Sequence, residues 1–176
     1  MRRTAGDWLI EGDEWWPVET PVGRLTLAGN DAWLHNLYLP GTLDEDSLPA
    51  LEARRGRPGA VAKAEEQLRS YFAGELRQFD LPLEPRGTDW QRKVWRALSE
   101  IPFGQTESYG GLAGRVGNAR ASRAVGLANN RNPVAVIIPC HRVIGAGGDL
   151  TGYGGGLPLK AWLLAHEREV MAASRS

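Results

Sequence analysis

The 176-residue chain reads as an α+β protein. A small N-terminal domain of antiparallel strands and a helix precedes a mostly helical C-terminal domain that carries a helix-turn-helix. Three observations predict this. Residues 14–39 hold three short strand-like runs separated by turn residues. Residues 88–101 repeat apolar side chains at helical spacing behind a capping signature. Residues 108–129 hold two short helical stretches joined by Gly117-Asn118, the spacing of a helix-turn-helix.

The strands are expected at Trp15 to Thr20, Leu25 to Ala28 and Ala32 to Leu39, with turns at Pro21-Val22-Gly23 and Gly29-Asn30-Asp31. Residues 40–60, rich in Pro, Gly and charge, read as a loop. Ala60 to Ala73 is a helix with Leu68, Tyr71 and Phe72 on its packed side and Gly74 as its stop. Trp8, Trp15, Trp16 and Trp33 read as core or interdomain packing, and no catalytic cluster is evident. These boundaries give a structural domain over 1–80, a linker over 81–87 and a second domain over 88–176.

Thr88 is the expected N-cap of the next helix, with Gln91 at N3. Trp90, Val94, Trp95, Leu98 and Ile101 share one face of it, and Ile101-Pro102-Phe103-Gly104 ends it. Ser108 caps the helix Tyr109 to Val116, and Asn118 caps Ala119 to Asn129. Val134 to Ile138 reads as a buried strand. Pro158 opens a last helix, Leu159 to about Arg168, packed by Trp162 and Leu163. Glu167 would sit near its C-terminus, where a carboxylate is disfavoured, so a cationic or N–H partner is expected.

At 42% hydrophobic and 24% charged, the composition is that of an ordinary globular chain. No apolar run approaches the ~20 residues of a membrane helix, and Met1-Arg2-Arg3-Thr4 lacks a signal-peptide core. One cysteine excludes an intrachain disulfide and a cysteine zinc cluster. His35, His141 and His166 are too scattered to suggest a metal site. The expectation is a cytoplasmic protein without metal or cofactor. The net charge of zero hides an asymmetry: −6 over residues 1–85, +6 over 86–142 and balance over 143–176. A basic middle segment suits a polyanion partner, or equally a solvated face.

The only cysteine lies in Ile137-Ile138-Pro139-Cys140-His141-Arg142-Val143. A lone Cys is most often a small buried hydrophobe. Beside an imidazole it is also arranged to become a thiolate nucleophile. The second helix of the pair, Ala119 to Ala128, is poor in large side chains. Either it packs closely in a core, or it is slim enough for a minor groove with Arg120 and Arg123 as its cations. Few groups suited to reading major-groove base edges are present, so weakly sequence-dependent binding fits better. In Asn129-Asn130-Arg131-Asn132-Pro133, any Asn can be a plain turn residue, and one immediately before the buried run can instead tie the helix-turn-helix to the cysteine loop. The segment 144–156 holds seven glycines in thirteen residues. It is either a flexible loop or a pocket wall.

Pro139-Cys140-His141-Arg142-Val143 resembles the active-site motif of the O6-alkylguanine-DNA alkyltransferases. The resemblance spans roughly residues 88 to 168. It takes in Phe103-Gly104, Ser108-Tyr109, Arg123-Ala124-Val125-Gly126, Asn132-Pro133, Tyr153, Gly155-Gly156, Lys160 and Trp162 to Glu167, all in the family's order. It implies an RNase H-like N-terminal domain and a winged-helix-like C-terminal domain. Activity would be DNA repair by irreversible, single-turnover transfer of an alkyl group from O6-alkylguanine, with O4-alkylthymine left open.

The resemblance also assigns roles. Cys140 accepts the alkyl group, His141 deprotonates it through a bridging water, and Glu167 orients His141. Asn132 is the hinge between the recognition helix and the active-site loop. Tyr109 donates a proton toward guanine N3. The carbonyls of Cys140 and Val143 accept from the exocyclic amine, the amide of Gly154 donates to O6, Tyr153 packs on the base, and Lys160 stands near the site. Arg123 fills the gap left by the flipped base. Arg120, Ala121, Ser122, Ala124 and Gly126 complete the DNA-binding helix. The implied partner is double-stranded DNA through its minor groove. The protein would be a monomer without obligate protein partner or membrane.

Three departures from the family pattern stand out. Some relatives have Ser at the position of Gly154, others have a second proline at that of Ala135, and the cysteines of a zinc site in some relatives are missing. Rival readings are a lesion binder without transfer, a helix-turn-helix regulator and a cysteine hydrolase. Cys140 argues against the first, and the Cys-His-Glu set against the second. Single turnover would separate the protein from the third.

Overall fold

The computed structural model describes residues 10–43, 49 and 52–174. The chain forms two compact units, Met1–Pro85 and Arg86–Ser176.

In the first unit, β1 (Glu14–Thr20), β2 (Gly23–Gly29) and β3 (Leu34–Tyr38) form an antiparallel sheet in that order. Thr20 pairs with Gly23 across a two-residue loop, and the Thr20 hydroxyl donates to the Gly23 carbonyl at 2.6 Å. The third strand starts at Leu34, later than Ala32. The Asn30 side chain accepts from the amides of both Ala32 and Trp33 at 2.9 Å, which commits those residues to a turn. Leu25, Leu27, Leu34 and Leu37 are buried with Val61, Leu68 and Tyr71 of α1 (Gly59–Phe72). Trp15, Ala28 and Tyr38 form a further buried cluster, joined by Leu43. Burial runs through five consecutive residues of β2, which hides the period of two.

Helix α1 ends at Phe72, and Gly74 follows at φ +79°, as a left-handed stop requires. Among the tryptophans, Trp15 is buried, Trp33 is 43% exposed, and Trp8 lies outside the described residues. Part of the expected linker is structured: the amide of Leu34 donates to the Pro82 carbonyl and that of Glu84 to the Leu34 carbonyl. Glu84 also meets His35, whose buried ring lies between Asp13 at 2.8 Å and Glu84 at 3.1 Å. Residues 22 and 49 positions apart in sequence meet there, so composition gives no sign of this group.

The second unit opens with α2 (Asp89–Ser99), held by the expected capping box of Thr88 and Gln91. Val94, Trp95, Leu98 and Ile101 are buried. A two-residue β4 (Glu107–Ser108) leads into α3 (Tyr109–Arg115), capped by the Ser108 hydroxyl. The turn and α4 (Ser122–Asn130) complete the helix-turn-helix. Helix α4 begins three residues later than expected, and Ala121, not Asn118, is its N-cap. The Asn118 carbonyl takes the Ala121 amide in a tight turn, so Ala119 and Arg120 belong to the connection.

The apolar run Val134 to Ile138 is buried as expected, but it is not an extended strand. The Ile138 amide returns to the Val134 carbonyl at 2.9 Å, and Val136 adopts φ +72°, an unusual conformation for a β-branched residue. Pro139 then lies at φ −81°, ψ +62°, with the Cys140 amide on the Ile138 carbonyl at 2.8 Å. This is an inverse γ-turn. A short apolar run shows burial without distinguishing a strand from a compact turn.

Cys140–Arg142 form one turn of 3-10 helix, and β5 (Val143–Ile144) pairs in parallel with β4. The last helix, α5 (Leu157–Ala173), is longer at both ends than expected. Glu167 therefore sits inside it, away from the C-terminus. Leu163 is fully buried, whereas Trp162 is 37% exposed and stacks on His166. No helix among the described residues is long and apolar enough to cross a membrane.

Candidate active site

The centre of the second unit is a buried polar network built on Glu167. The carboxylate takes the ring of His141 at 2.8 Å through Nε2. Arg142 donates to it from Nε at 3.0 Å and from Nη2 at 2.9 Å, and the Gly104 amide donates at 2.9 Å. His141 and Glu167 have no solvent exposure, and Arg142 has 5%. The remaining guanidinium nitrogen, Nη1, donates to the Ile101 carbonyl at 2.6 Å. The donors His141 and Arg142 hold the Glu167 carboxyl down at about 2 against the opposing pull of burial. It is an anion at neutral pH. Burial pushes the His141 imidazole below its ordinary value, and the nearby Arg142 and Lys160 cations add to this, although Glu167 opposes it. His141 is therefore neutral at neutral pH. With Nε2–H donated to an acceptor-only carboxylate, its lone pair is on Nδ1, which has no hydrogen-bond partner among the described residues. A neutral imidazole with a free nitrogen is a base.

Acid should therefore weaken the fold. The unfolded chain binds protons at His141 near 6.5 and at Glu167 near 4.5, and the folded chain binds them only at lower pH. Folding stability is full above pH 6.5, declines as the pH falls, and is lost most steeply between 4.5 and 2. Glu167 alone contributes about 3 kcal/mol to that loss. Urea midpoints measured from pH 7.5 to pH 3 test this. A Glu167→Gln variant should show a much shallower slope below pH 4.5.

Gly104 reaches Glu167 because it lies at φ +75° and because Met171 closes over it. A Cβ there would sit 2.7 Å from Met171 Cγ. Gly104→Ala should cost about 1–3 kcal/mol, read as a lower thermal midpoint.

Cys140 is 3% exposed and is presented by the turn before it. Asn132 braces that turn. Its Nδ2 donates to the Ile138 carbonyl at 2.8 Å, and its Oδ1 accepts from the Val134 amide at 3.0 Å. The Asn132 amide also bonds the Asn129 carbonyl at the end of α4. Asn132 thus braces the turn that presents Cys140 and ties it to the end of α4. A second tie comes from Asn129, whose Nδ2 donates to the Cys140 carbonyl at 3.3 Å.

Lys160 is fully buried. Its ammonium donates to the carbonyls of Val143 at 2.5 Å and Thr151 at 2.8 Å, and stands 5.7 Å from the Tyr109 ring centre. Burial lowers the Lys160 pKa, and its interaction with Cys140 works against this. The Tyr109 hydroxyl donates to the Thr151 carbonyl at 3.2 Å. Burial raises the Tyr109 pKa despite that bond, so the phenol keeps its proton. Tyr153 is half-buried and Gly154 exposed. A Cβ on Gly154 would meet nothing within 4 Å, so a serine there would fit.

On α4, Arg123 is exposed, as is Arg120 just before it, with Ala121, Ser122, Ala124 and Gly126 half-buried. The small residues of α4 permit close packing on one side of the helix. The indole nitrogens of Trp90 and Trp95 reach the carbonyls of Ala124 and Ala128, which requires close packing. At Gly126, however, a Cβ would make only ordinary contact with Tyr109, at 3.8 Å. Packing inside the protein does not demand a glycine there.

Comparison with known proteins gives the same partition. Residues 17–85 match the model of the 6-O-methylguanine DNA methyltransferase ribonuclease-like domain, and residues 89–169 match that of its DNA-binding domain. A methylated-DNA–protein-cysteine methyltransferase of Mycolicibacterium paratuberculosis is 53% identical over 161 residues, covering 92% of this chain and 96% of that protein. The chain belongs to the 6-O-methylguanine DNA methyltransferase family. The crystal structure of the Mycobacterium tuberculosis O6-methylguanine methyltransferase superposes with a TM-score of 0.80 at 49% identity, over 89% of this chain and 93% of that one. The Mycobacterium tuberculosis OGT in complex with DNA gives 0.78 at 47%, over 89% and 94%.

In this methyltransferase family member, the sequence reading missed two residues. Arg142 is noted only as part of the motif, yet it is the cation expected opposite Glu167. The misplaced end of α5 obscured how deep that pair lies. Arg142 also takes one charge of the basic middle segment out of the surface. Asn129 is one of three asparagines in a polar stretch. Its burial, at 2% exposure, is the only feature that sets it apart from the exposed Asn130, and the sequence does not carry it.

Proposed function

We propose that this protein repairs DNA by direct reversal, transferring the alkyl group of O6-alkylguanine to Cys140 once per molecule. The observation that carries this is the His141–Glu167 pair beside the single cysteine. A neutral imidazole, fixed at Nε2 by a permanent anion, offers Nδ1 to take the thiol proton, the nucleophile–base–orienter arrangement of a cysteine triad.

A base stacked in a duplex hides its O6 substituent, so the nucleotide is flipped out, at a cost of a few kcal/mol. His141 takes the Cys140 proton through a bridging water. The thiolate attacks the alkyl carbon, forming the S–C bond as the C–O6 bond breaks, and the bonding electrons leave with guanine. Tyr109 passes its proton to guanine N3 to neutralise that charge, and the proton held on the His141 imidazolium restores the phenol, so the net transfer is one proton from Cys140 to guanine. The stable thioether makes a second turnover impossible. Lys160 attracts the thiolate by its charge.

The carbonyls of Cys140 and Val143 receive the exocyclic amine, the Gly154 amide meets O6, and Tyr153 packs on the base. Arg123 enters the emptied stack. Arg120, Ala121, Ser122, Ala124 and Gly126 lie along the minor groove with little sequence preference. The protein acts as a cytoplasmic monomer. Residues 1–80 are structural, and 81–87 join them to the DNA-binding and transfer domain at 88–176.

A titration with duplex DNA bearing one radiolabelled O6-methylguanine tests this reading. Label on the protein should rise linearly and stop at one methyl per molecule. Continued release of repaired DNA beyond that ratio would identify a turnover enzyme. Label that stays in the DNA despite lesion binding would identify a binder.

A further inference from the structure

We infer that Asn129 is a positioning residue for the proton transfer, its side-chain oxygen and His141 Nδ1 together orienting the water through which Cys140 is deprotonated. The inference rests on the reading above. It deepens that reading by giving a residue of α4 a part in making the thiolate.

Asn129 lies in the last turn of α4, 2% exposed. Beside the nucleophile, two buried side-chain atoms have no hydrogen-bond partner among the described residues, Asn129 Oδ1 and His141 Nδ1. Both only accept. The neutral imidazole uses its N–H at Nε2, toward Glu167, and an amide oxygen carries no hydrogen. Buried acceptors without a donor cost free energy, so ordinary packing would favour an apolar side chain at 129. The two atoms are also close in the chain's own framework. Asn129 Nδ2 donates to the Cys140 carbonyl at 3.3 Å, and that carbonyl carbon is bonded to the backbone nitrogen of His141. The same contact sets the amide's orientation, since the reverse would turn oxygen against oxygen.

A water has two hydrogens to donate. Shared between Oδ1 and Nδ1, it spends both and presents only its lone pairs to a third neighbour, which here is the Cys140 thiol. Three polar partners suffice to hold a buried water. Held by Nδ1 alone, the water has several orientations, and only some of them accept from sulfur. In the transfer the S–H proton passes to the water as one of the water's own protons passes to Nδ1. The water is unchanged, Cys140 becomes the thiolate, and the imidazolium faces the Glu167 anion.

The test measures second-order transfer from duplex DNA carrying O6-methylguanine, from about pH 6 to about pH 9.5, normalised to folded protein. The proteins are wild type, Asn129→Leu, His141→Gln and the double variant, with Asn129→Ala as a smaller replacement. Leu removes both polar atoms at similar volume. It leaves in place Glu167, Arg142 and Lys160 about His141, and Lys160 and Tyr109 about Cys140. Asn129→Leu should be about tenfold slower at neutral pH, the loss expected for one orienting hydrogen bond. The gap should close to within about twofold above the ordinary range of a thiol, where hydroxide makes the thiolate. In the His141→Gln background, replacing Asn129 should cost less than about twofold, because no base remains for the water to serve.

A loss of the same size at every pH would show that Asn129 only supports the fold and would overturn the inference. So would an unchanged rate, or the full loss repeated in the His141→Gln background. A wild type that transfers nothing from O6-methylguanine would instead remove the functional reading on which the inference rests.

Discussion

Replacing Glu167 with Gln should cost the fold about 3–5 kcal/mol. The neutral amide cannot balance Arg142, which is 5% exposed and donates to both carboxylate oxygens. It also turns an N–H group toward the Arg142 or Gly104 donors, or forces the His141 ring into its other tautomer to accept it. An uncompensated buried guanidinium is among the most expensive defects a small domain can carry. Equilibrium urea unfolding followed by tryptophan fluorescence measures the loss. The second unit should unfold at a clearly lower denaturant concentration. A midpoint within experimental error of wild type would mean that the network is ornamental.

Replacing His141 with Gln should remove the base and leave the nucleophile. Transfer should slow by about 10²- to 10⁴-fold, the range expected for a lost general base. Affinity for undamaged duplex should be unchanged, because the ring lies inside the protein, away from the exposed Arg120 and Arg123. The residual reaction should accelerate as the pH rises through the ordinary range of a thiol, since hydroxide then makes the thiolate that His141 no longer makes. Wild type should show no such strong rise above neutrality. Single-turnover rates from pH 6 to pH 9.5 on both proteins distinguish the profiles.

Features set by neighbouring residues were legible in the sequence. The Thr88–Gln91 capping box, the Ser108 cap and the buried face of α2 all formed as expected. They are local, and their chemistry is spelled out within a few residues. The active-site motif was legible for a different reason: Cys140 is unique and its neighbours match a family. The loop that presents it was not. Five apolar residues suggest burial, but the γ-turn at Pro139 and the left-handed Val136 arise from how that segment fits its surroundings.

The Asn118 cap failed because a backbone turn took its place. Long-range polar partners were the least visible. Arg142 and Glu167 are 25 residues apart, Gly104 and Glu167 are 63, and His35 and Glu84 are 49. For Glu167 the sequence showed that a partner was needed, without showing which.

The most direct measurement is intact-protein mass, with peptide mapping, after incubation with duplex DNA carrying one O6-methylguanine, for wild type and Cys140→Ser. The account predicts a gain of a single methyl on wild type, located at Cys140, and no gain on the variant. An unchanged wild-type mass with tight lesion binding, or a methyl found at any residue other than Cys140, would contradict it.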